Sequence, residues 1–131
     1  MKKSIQAKGK RKRAVARATL LPGNGKIKIN GIALENFGNS SIRLRVSEPL
    51  VLAGETMNKV DLNVTVLGGG MSGQADAVRL AIARSLVEHD QKLKKSFDDY
   101  DRLLLVADVR RKEVCKPNDS KARAKRQKSY R

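Results

Sequence analysis

Aromatic residues are scarce in this chain: they make up 3 % of its 131 residues, and tryptophan is absent. A sheet that stacks nucleobases needs aromatic side chains on its strands, and the predicted strands have none, so base stacking there is excluded. A single cysteine, Cys115, and a single histidine, His89, exclude an internal disulfide and the common zinc-binding patterns. The lone cysteine also predicts a cytosolic, reducing location.

Long hydrophobic runs are missing as well. No stretch approaches the roughly 20 apolar residues that a membrane-spanning helix needs. The basic N-terminus lacks the apolar segment of a secretion signal, and neither end forms an amphipathic helix suited to a membrane surface. No set of nucleophile, base and oxyanion donors can be named. The acidic group Asp98, Asp99 and Asp101 is interpreted as a solvated helix end rather than a cation site. We therefore predict no catalytic residues, no metal and no membrane contact.

Positive charge is what the chain has in excess, with a formal net charge of +16. Residues 1–17 hold eight Lys or Arg and no acid, residues 110–131 hold ten against two acids, and the residues between them are balanced. Two basic ends on a neutral body predict arms that bind a polyanion, most readily nucleic acid, although two solvated tails without a partner are the alternative. The cations expected to contact it are Lys8, Lys10, Arg11, Lys12, Arg13, Arg17, Arg110, Arg111, Lys121, Arg123, Lys125 and Arg126.

The first half of the chain predicts short elements. Residues 14–21 are β-branched and small residues in rough alternation, and residues 26–30 alternate between polar and apolar. The turn residues 22–25 lie between them, so we expect the two runs to pair as a β-hairpin. Residues 33–55 predict short helical pieces, with a break or restart at Pro49.

The second half has clearer periodicity. Residues 59–67 alternate cleanly between apolar and polar and predict a strand. Residues 72–90 predict a helix capped by Ser72, and residues 91–99 a second helical piece. Residues 102–108 predict a buried strand. The first helix places an apolar stripe on one face at Val78, Ala81, Ile82 and Leu86.

The order of these elements suits an α+β or α/β layer fold, and we predict α+β, with a four-stranded sheet and helices packed on one face. Residues 1–13 form a basic N-terminal arm in this division, and residues 14–109 form a globular body. Residues 110–131 have no apolar periodicity and are predicted to be an extended basic tail that orders on binding.

The motif G-x-G-x-x-G, formed by Gly68, Gly70 and Gly73, lies between a predicted strand and helix and matches a dinucleotide-binding fingerprint. The rest of the chain argues against a cofactor. Only one clear strand follows, and the acids at the required spacing, Glu88 and Asp90, end a helix rather than a strand. Two interpretations stay open: a tight strand-to-helix turn, and a close approach of backbone to nucleic-acid phosphate.

Four blocks of the chain resemble the universal S-nine family of small-subunit ribosomal proteins. They lie in the family's order between about Gly9 and Arg131, and the last two resemble its archaeal and eukaryotic branch. The blocks are "GKRKRAVARATLLPGNGKIKING", "GGGMSGQADAVRLAIARSLVE", "YDRLLLVADVRRKE" and "RQKSYR".

The resemblance implies a structural, non-enzymatic role without a cofactor in the cytoplasmic ribosome, on a body like the second domain of ribosomal protein S-five. That body would be seated on rRNA in the head of the small subunit, beside neighbouring ribosomal proteins. Its tail would reach the decoding region and the anticodon stem-loop of the peptidyl-site tRNA. The implied rRNA contacts are Lys10 to Arg13 and the loop residues Gly68, Gly69, Gly70, Ser72 and Gln74. The implied tRNA-proximal residues are Lys128, Ser129, Tyr130 and Arg131.

Two alternatives to the ribosome compete with this interpretation. One is a free-standing nucleic-acid-binding protein, for which the two basic ends would suffice. The other is a nucleotide-dependent enzyme that uses the glycine loop. No small-molecule substrate is predicted.

Overall fold

A computed structural model describes residues 3–125, 127 and 129–130. These residues form an α+β fold, as predicted, in which helices cover one face of a mixed sheet. The sheet has five strands rather than four, in the order β1-β2-β5-β3-β4. The strands are β1 Ile5–Arg11, β2 Ala14–Pro22, β3 Ile27–Ile29, β4 Ile32–Ala33 and β5 Val60–Leu67. The α-helices are α1 Ser40–Ala53, α2 Met71–His89 and α3 Leu93–Tyr100, and 3-10 turns cover Leu34–Asn36, Gly54–Lys59 and Arg102–Leu104.

The two most regular patterns in the sequence form the centre of the fold. β5 pairs antiparallel with β2 and parallel with β3, and its inward side chains are almost fully buried. The predicted strand at 59–67 is confirmed. α2 packs on the same face, and its predicted apolar stripe is completely buried. Burial of both patterns against each other is the main stabilising contribution to the core.

The predicted hairpin between residues 14–21 and 26–30 is wrong. β5 lies between β2 and β3, so these two strands never pair. The turn residues 22–25 reverse the chain locally. β2 nevertheless pairs with β5, because β5 offers it a longer apolar ladder than β3, which has only three residues. The loop is instead fastened to β5, because the carboxylate of Asp61 accepts backbone N–H groups of Asn24, Gly25 and Lys26 at 2.9–3.1 Å.

β2 forms its hairpin with β1, through a two-residue turn at Lys12 and Arg13. Lys12 has a φ of 53°. Residues 5–11 are therefore an edge strand of the sheet, although the sequence predicted no strand in the N-terminal arm. The division of the chain into arm, body and tail otherwise stays a prediction.

The segment 102–108 is not a strand. A 3-10 turn, Arg102–Leu104, buries Leu104 completely, and the Nε of Arg84 on α2 donates to the Leu105 carbonyl at 3.1 Å. An apolar run this short can be buried without pairing in a sheet. Pro49 does not break α1 either: its ring is buried in the core, and the helix continues to Ala53.

Residues 110–125 contain no helix or strand and are almost entirely exposed. Within them the chain folds back locally, since the Lys116 N–H donates to the Ser120 carbonyl at 3.0 Å and Arg123 pairs with Glu113 at 2.9 Å. Among the described residues, no helix is long and apolar enough to cross a membrane.

Candidate nucleic-acid interface

Three segments that are far apart in the sequence line one groove. They are the β1–β2 turn at residues 11–13, the loop and first helical turn at residues 69–73, and the root of the tail at residues 110–115. We call this the glycine groove; its volume is about 1350 Å³. Its described lining contains six Lys or Arg side chains and one acid, Glu113. The described lining therefore carries a net positive formal charge.

Gly68 and Gly69 are required by the turn itself. Their φ angles are +79° and +67°, in the left-handed region that side chains rarely adopt. A Cβ on Gly68 would lie 2.6 Å from the carbonyl oxygen of Arg13, and one on Gly69 would lie 3.1 Å from the backbone nitrogen of Ala14. These two glycines let the β5–α2 loop pack directly against the β1–β2 turn.

Gly70 has no such steric reason. Its φ is −97°, and a Cβ there would meet no described atom within 4 Å. It occupies the N-cap position of α2, where no side chain of the described residues caps the helix. The N–H groups of a first helical turn lack intrahelical partners and carry the positive end of the helix dipole. An anion in the glycine groove can reach them over a bare backbone.

Ser72 and Gln74, also predicted as contacts, have different surroundings. Ser72 is exposed in the first turn of α2 and lines the groove. The Nε2 of Gln74 donates to the Gly68 carbonyl at 3.1 Å, so this side chain holds the loop in shape. The predicted capping role of Ser72 is wrong because α2 begins at Met71.

The cations of the groove fall into two groups. The side chain of Arg11 is 15 % exposed, and its Nη1 lies 3.2 Å from Asp108. Arg110 pairs with the same carboxylate at 2.6 Å. Hydrogen bonds from Arg110 and the charge of Arg11 hold the pKa of Asp108 far below its ordinary value. Arg11 thus joins the β1–β2 hairpin to Asp108, just before the root of the tail, and Arg110 forms a local pair with the same carboxylate.

The second group is exposed and forms no ion pair within the described residues. Lys12 and Arg13 stand on the β1–β2 turn, and Arg111 and Lys112 stand on the tail root. Lys112 was not among the predicted contacts, although its place beside Arg111 in a basic run was a usable signal. These four cations are the groove's available anion-binding charge.

A cluster of ion pairs between α1, α2 and the segment after α3 has a structural role. Arg79, 9 % exposed, pairs with Glu48 on α1 and with Asp101 at 3.0 Å, while Arg45 pairs with Asp76 at 3.1 Å. The Leu103 N–H and Arg79 lower the pKa of Asp101. Asp101 is therefore bound into the body, and no group of three potential metal ligands occurs among the described residues.

The remaining predicted contacts lie elsewhere. Lys8, Lys10 and Arg17 stand on the sheet face opposite α2. Lys121, Arg123, Lys125 and Ser129 are exposed in the tail, as is Tyr130, which is 91 % exposed. Arg126, Lys128 and Arg131 lie outside the described residues.

The geometry also bears on the dinucleotide hypothesis. Within the described residues β5 is the last strand, so no further strand follows the glycine loop. Glu88 and Asp90 lie at the C-terminal end of α2, far along the helix from the loop. A ribose-binding acid would have to end the next strand. The cofactor interpretation therefore lacks its structural context.

Comparison with known proteins matches the chain over residues 9–131 to the family model described as ribosomal protein S9/S16. Among curated relatives, small ribosomal subunit protein uS9 of Methanothrix thermoacetophila is 47 % identical, covering 98 % of this chain and 99 % of its own. The protein of the same name from Pyrobaculum aerophilum is 51 % identical, covering 94 % and 88 %. That of Methanococcus maripaludis is 47 % identical, covering 98 % and 99 %. This chain therefore belongs to the ribosomal protein S9/S16 family, and it is a structural component rather than an enzyme.

Proposed function

We propose that this protein, a structural constituent of the small ribosomal subunit, binds rRNA in the subunit head and contacts peptidyl-site tRNA with its tail. Its place would be the cytoplasmic ribosome, beside neighbouring ribosomal proteins. The subunit assignment rests on its relatives, each named small ribosomal subunit protein uS9. The contacts with RNA rest on the glycine groove and on the exposed basic tail.

The observation that carries rRNA binding is the convergence of charge and bare backbone in the glycine groove. Four cations that form no ion pair within the described part of the chain line the groove together with the first turn of α2, and Gly70 leaves the N–H groups of that turn uncovered. A phosphate can accept hydrogen bonds from those N–H groups while the cations neutralise its charge. The glycine motif would then bind a phosphate of an RNA backbone rather than that of a dinucleotide.

A charge-neutral substitution tests this directly. Gly70→Ala adds a methyl group into open space and should leave the fold intact while weakening affinity for an rRNA fragment of the head. The double variant Lys12→Gln/Arg13→Gln should also reduce the slope of log affinity against log salt by about 2, one for each lost phosphate contact. Lys94→Gln/Lys95→Gln, on the exposed surface of α3, is the control with the same change in charge.

Co-sedimentation with small subunits after a high-salt wash separates this function from its alternatives. Protein that stays with the subunit supports a ribosomal constituent, and protein recovered free would favour a free-standing nucleic-acid-binding protein. If Gly70→Ala and the two double variants all bind the fragment equally, the glycine groove is not the rRNA site.

The tail is the second part of the proposal. Residues 110–125 are exposed and have no regular structure, and Tyr130 offers a solvent-facing ring that can stack on a base or ribose. Twenty-two extended residues span at most roughly 70 Å. A tail rooted in the glycine groove can therefore reach a second RNA well away from the body.

Deletion of residues 118–131 tests the tail. The body should keep its melting temperature and its place in the subunit, while binding of tRNA to the peptidyl site weakens. A variant that replaces these residues with Gly and Ser at equal length keeps the length of the tail but removes its charge, so it distinguishes the two contributions to tRNA binding. Unchanged tRNA binding in both variants would refute the contact.

A further inference from the structure

The sheet has a second face that the helices leave uncovered. Side chains alternate along its strands, so that Lys8, Lys10, Arg17 and Lys28 point away from α2 and into solvent. Three exposed or half-buried polar residues, Thr19, Asn63 and Thr65, lie between them on β2 and β5. We call this surface the open face.

The cations of the open face are arranged against one another. Lys8 stands directly opposite Arg17 in the β1–β2 register, a like-charge pair that destabilises a sheet. Neither forms an ion pair within the described residues. Asp61 also lies on this side, but its carboxylate is taken up by three backbone N–H groups. An external anion would relieve the repulsion.

The spacing of the cations separates them into two sides. Lys28 pairs with Asn63 on β5, and three inter-strand steps separate β3 from β1. At about 4.8 Å a step, Lys28 stands roughly 14 Å across the sheet from the strand that carries Lys8 and Lys10. The centre of the space between holds hydroxyl and amide groups, since Thr19 is paired with Asn63 and Thr65 with Arg17. Toward the ends of β2 and β5 the same face carries Val15, Leu21 and Leu67.

We propose that the open face binds an RNA double helix across its minor groove, with the outer cations on phosphates of its two strands and the central Thr and Asn side chains on 2′-hydroxyls. The minor groove of A-form RNA is wide and shallow and displays those hydroxyls between its phosphates. This inference rests on the proposed function and adds a second RNA surface, distinct from the glycine groove, with a defined ligand class.

The composition of the open face disfavours single-stranded RNA. Proteins that bind single strands stack successive bases on aromatic rings. None of the described strand residues is aromatic. A cationic surface whose centre carries small hydrogen-bonding side chains suits a ligand whose bases are already stacked and paired.

The test uses the full chain and three probes: an RNA duplex of about 16 base pairs, one of its strands, and the DNA duplex of the same sequence. Arg17→Gln/Lys28→Gln removes Lys28 from one side of the open face and, from the other, the cation on β2 that stands opposite Lys8. Lys94→Gln/Lys95→Gln removes the same charge from α3. The open-face variant should bind the RNA duplex about tenfold more weakly than this control, with a salt slope lower by about 2. Both variants should bind the single strand alike.

Thr65→Val provides a readout independent of charge. Valine suits an exposed strand position, so the fold should persist, while the preference for RNA duplex over DNA duplex falls. Lys8→Gln on the edge strand repeats the charge test if Arg17→Gln lowers the unfolding midpoint.

Three outcomes would overturn the inference. The first is an equal loss of duplex affinity in the open-face variant and its control. The second is a loss that is the same for duplex and single strand. The third is an open-face variant that no longer enters the small subunit but still binds the RNA duplex with wild-type affinity. That result would mean that the open face contacts a neighbouring protein. Wild-type protein that fails to co-sediment with the subunit would refute the proposed function instead, whatever the duplex result.

Discussion

The three glycines of the motif should respond differently when each is replaced by alanine. Gly68 combines a φ of +79° with a Cβ position 2.6 Å from the Arg13 carbonyl oxygen. Left-handed backbone costs a side chain about 1–3 kcal/mol, and a backbone clash adds about 1–3 kcal/mol. Gly68→Ala should therefore lower the free energy of unfolding by roughly 3 kcal/mol.

The other two positions have room for a methyl group. At Gly70 it would meet no described atom, so Gly70→Ala should cost only about 0.5 kcal/mol, from the weaker N-cap preference of alanine. At Gly73, inside α2, it would meet Arg11 O at 3.6 Å and Ala14 Cβ at 3.8 Å, which are ordinary contacts. Gly73→Ala should stabilise the protein by about 0.5 kcal/mol, because alanine favours the helix.

Urea unfolding followed by circular dichroism gives these differences as shifts in midpoint at constant slope. In thermal melts, Gly68→Ala should melt on the order of 15 °C below the wild type, because 1 kcal/mol corresponds to about 4–8 °C in a body of this size. If Gly68→Ala and Gly70→Ala have the same melting temperature, the loop does not pack on the β1–β2 turn as described. A Gly73→Ala variant less stable than Gly70→Ala would contradict the start of α2 at Met71.

Three further substitutions test other contacts. Gly9→Ala should destabilise the protein by roughly 3 kcal/mol in urea unfolding, since its Cβ would clash with the Ala77 carbonyl oxygen on α2; near-wild-type stability would mean that β1 does not pack there. Arg79→Met should lower the free energy of unfolding by about 1–3 kcal/mol. A smaller decrease than that of the exposed control Lys94→Gln would show that the ion pairs of Arg79 do not stabilise the fold. Backbone hydrogen bonds from Lys26 and Asn24 lower the pKa of Asp61 in the folded state, so its contribution to stability is present at neutral pH and is lost as the pH falls below about 4. Asp61→Asn should therefore unfold with a flatter pH dependence below pH 4, and an unchanged curve would refute the role of that carboxylate.

Periodicity predicted the elements in which local pattern and tertiary burial agree. β5 and α2 were predicted because each turns a regular apolar series toward the same core. β1 was missed because its inward positions include Ala7 and Gly9, which are too small to produce an apolar pattern. α2 packs so closely on this strand that a side chain at Gly9 would clash with its backbone. Strand pairing was mispredicted for β2 because a turn sequence reverses the chain without determining which strand becomes its neighbour.

The candidate site was predicted in part for the same reason. The glycine loop, the basic turn and the tail root were each identified from residue type, but their convergence depends on the pairing of β1 with β2, which no pattern in the sequence predicts. The separate roles of Arg11 and Lys12 could not be predicted either. The two residues are adjacent in a run of like charges, and only the position of Asp108 distinguishes the paired cation from the exposed one.

The position of β5 in the sheet also determines when this protein can fold during synthesis. Its central strand is encoded after α1, so β2 and β3 leave the translating ribosome without the strand that joins them. The β1–β2 hairpin that emerges first is at most marginally stable alone. Its stabilising partners are β5 and α2, which end at Leu67 and His89. The basic N-terminal half therefore spends much of its synthesis as an unfolded polycation, and the body can close only after two thirds of the chain has been made.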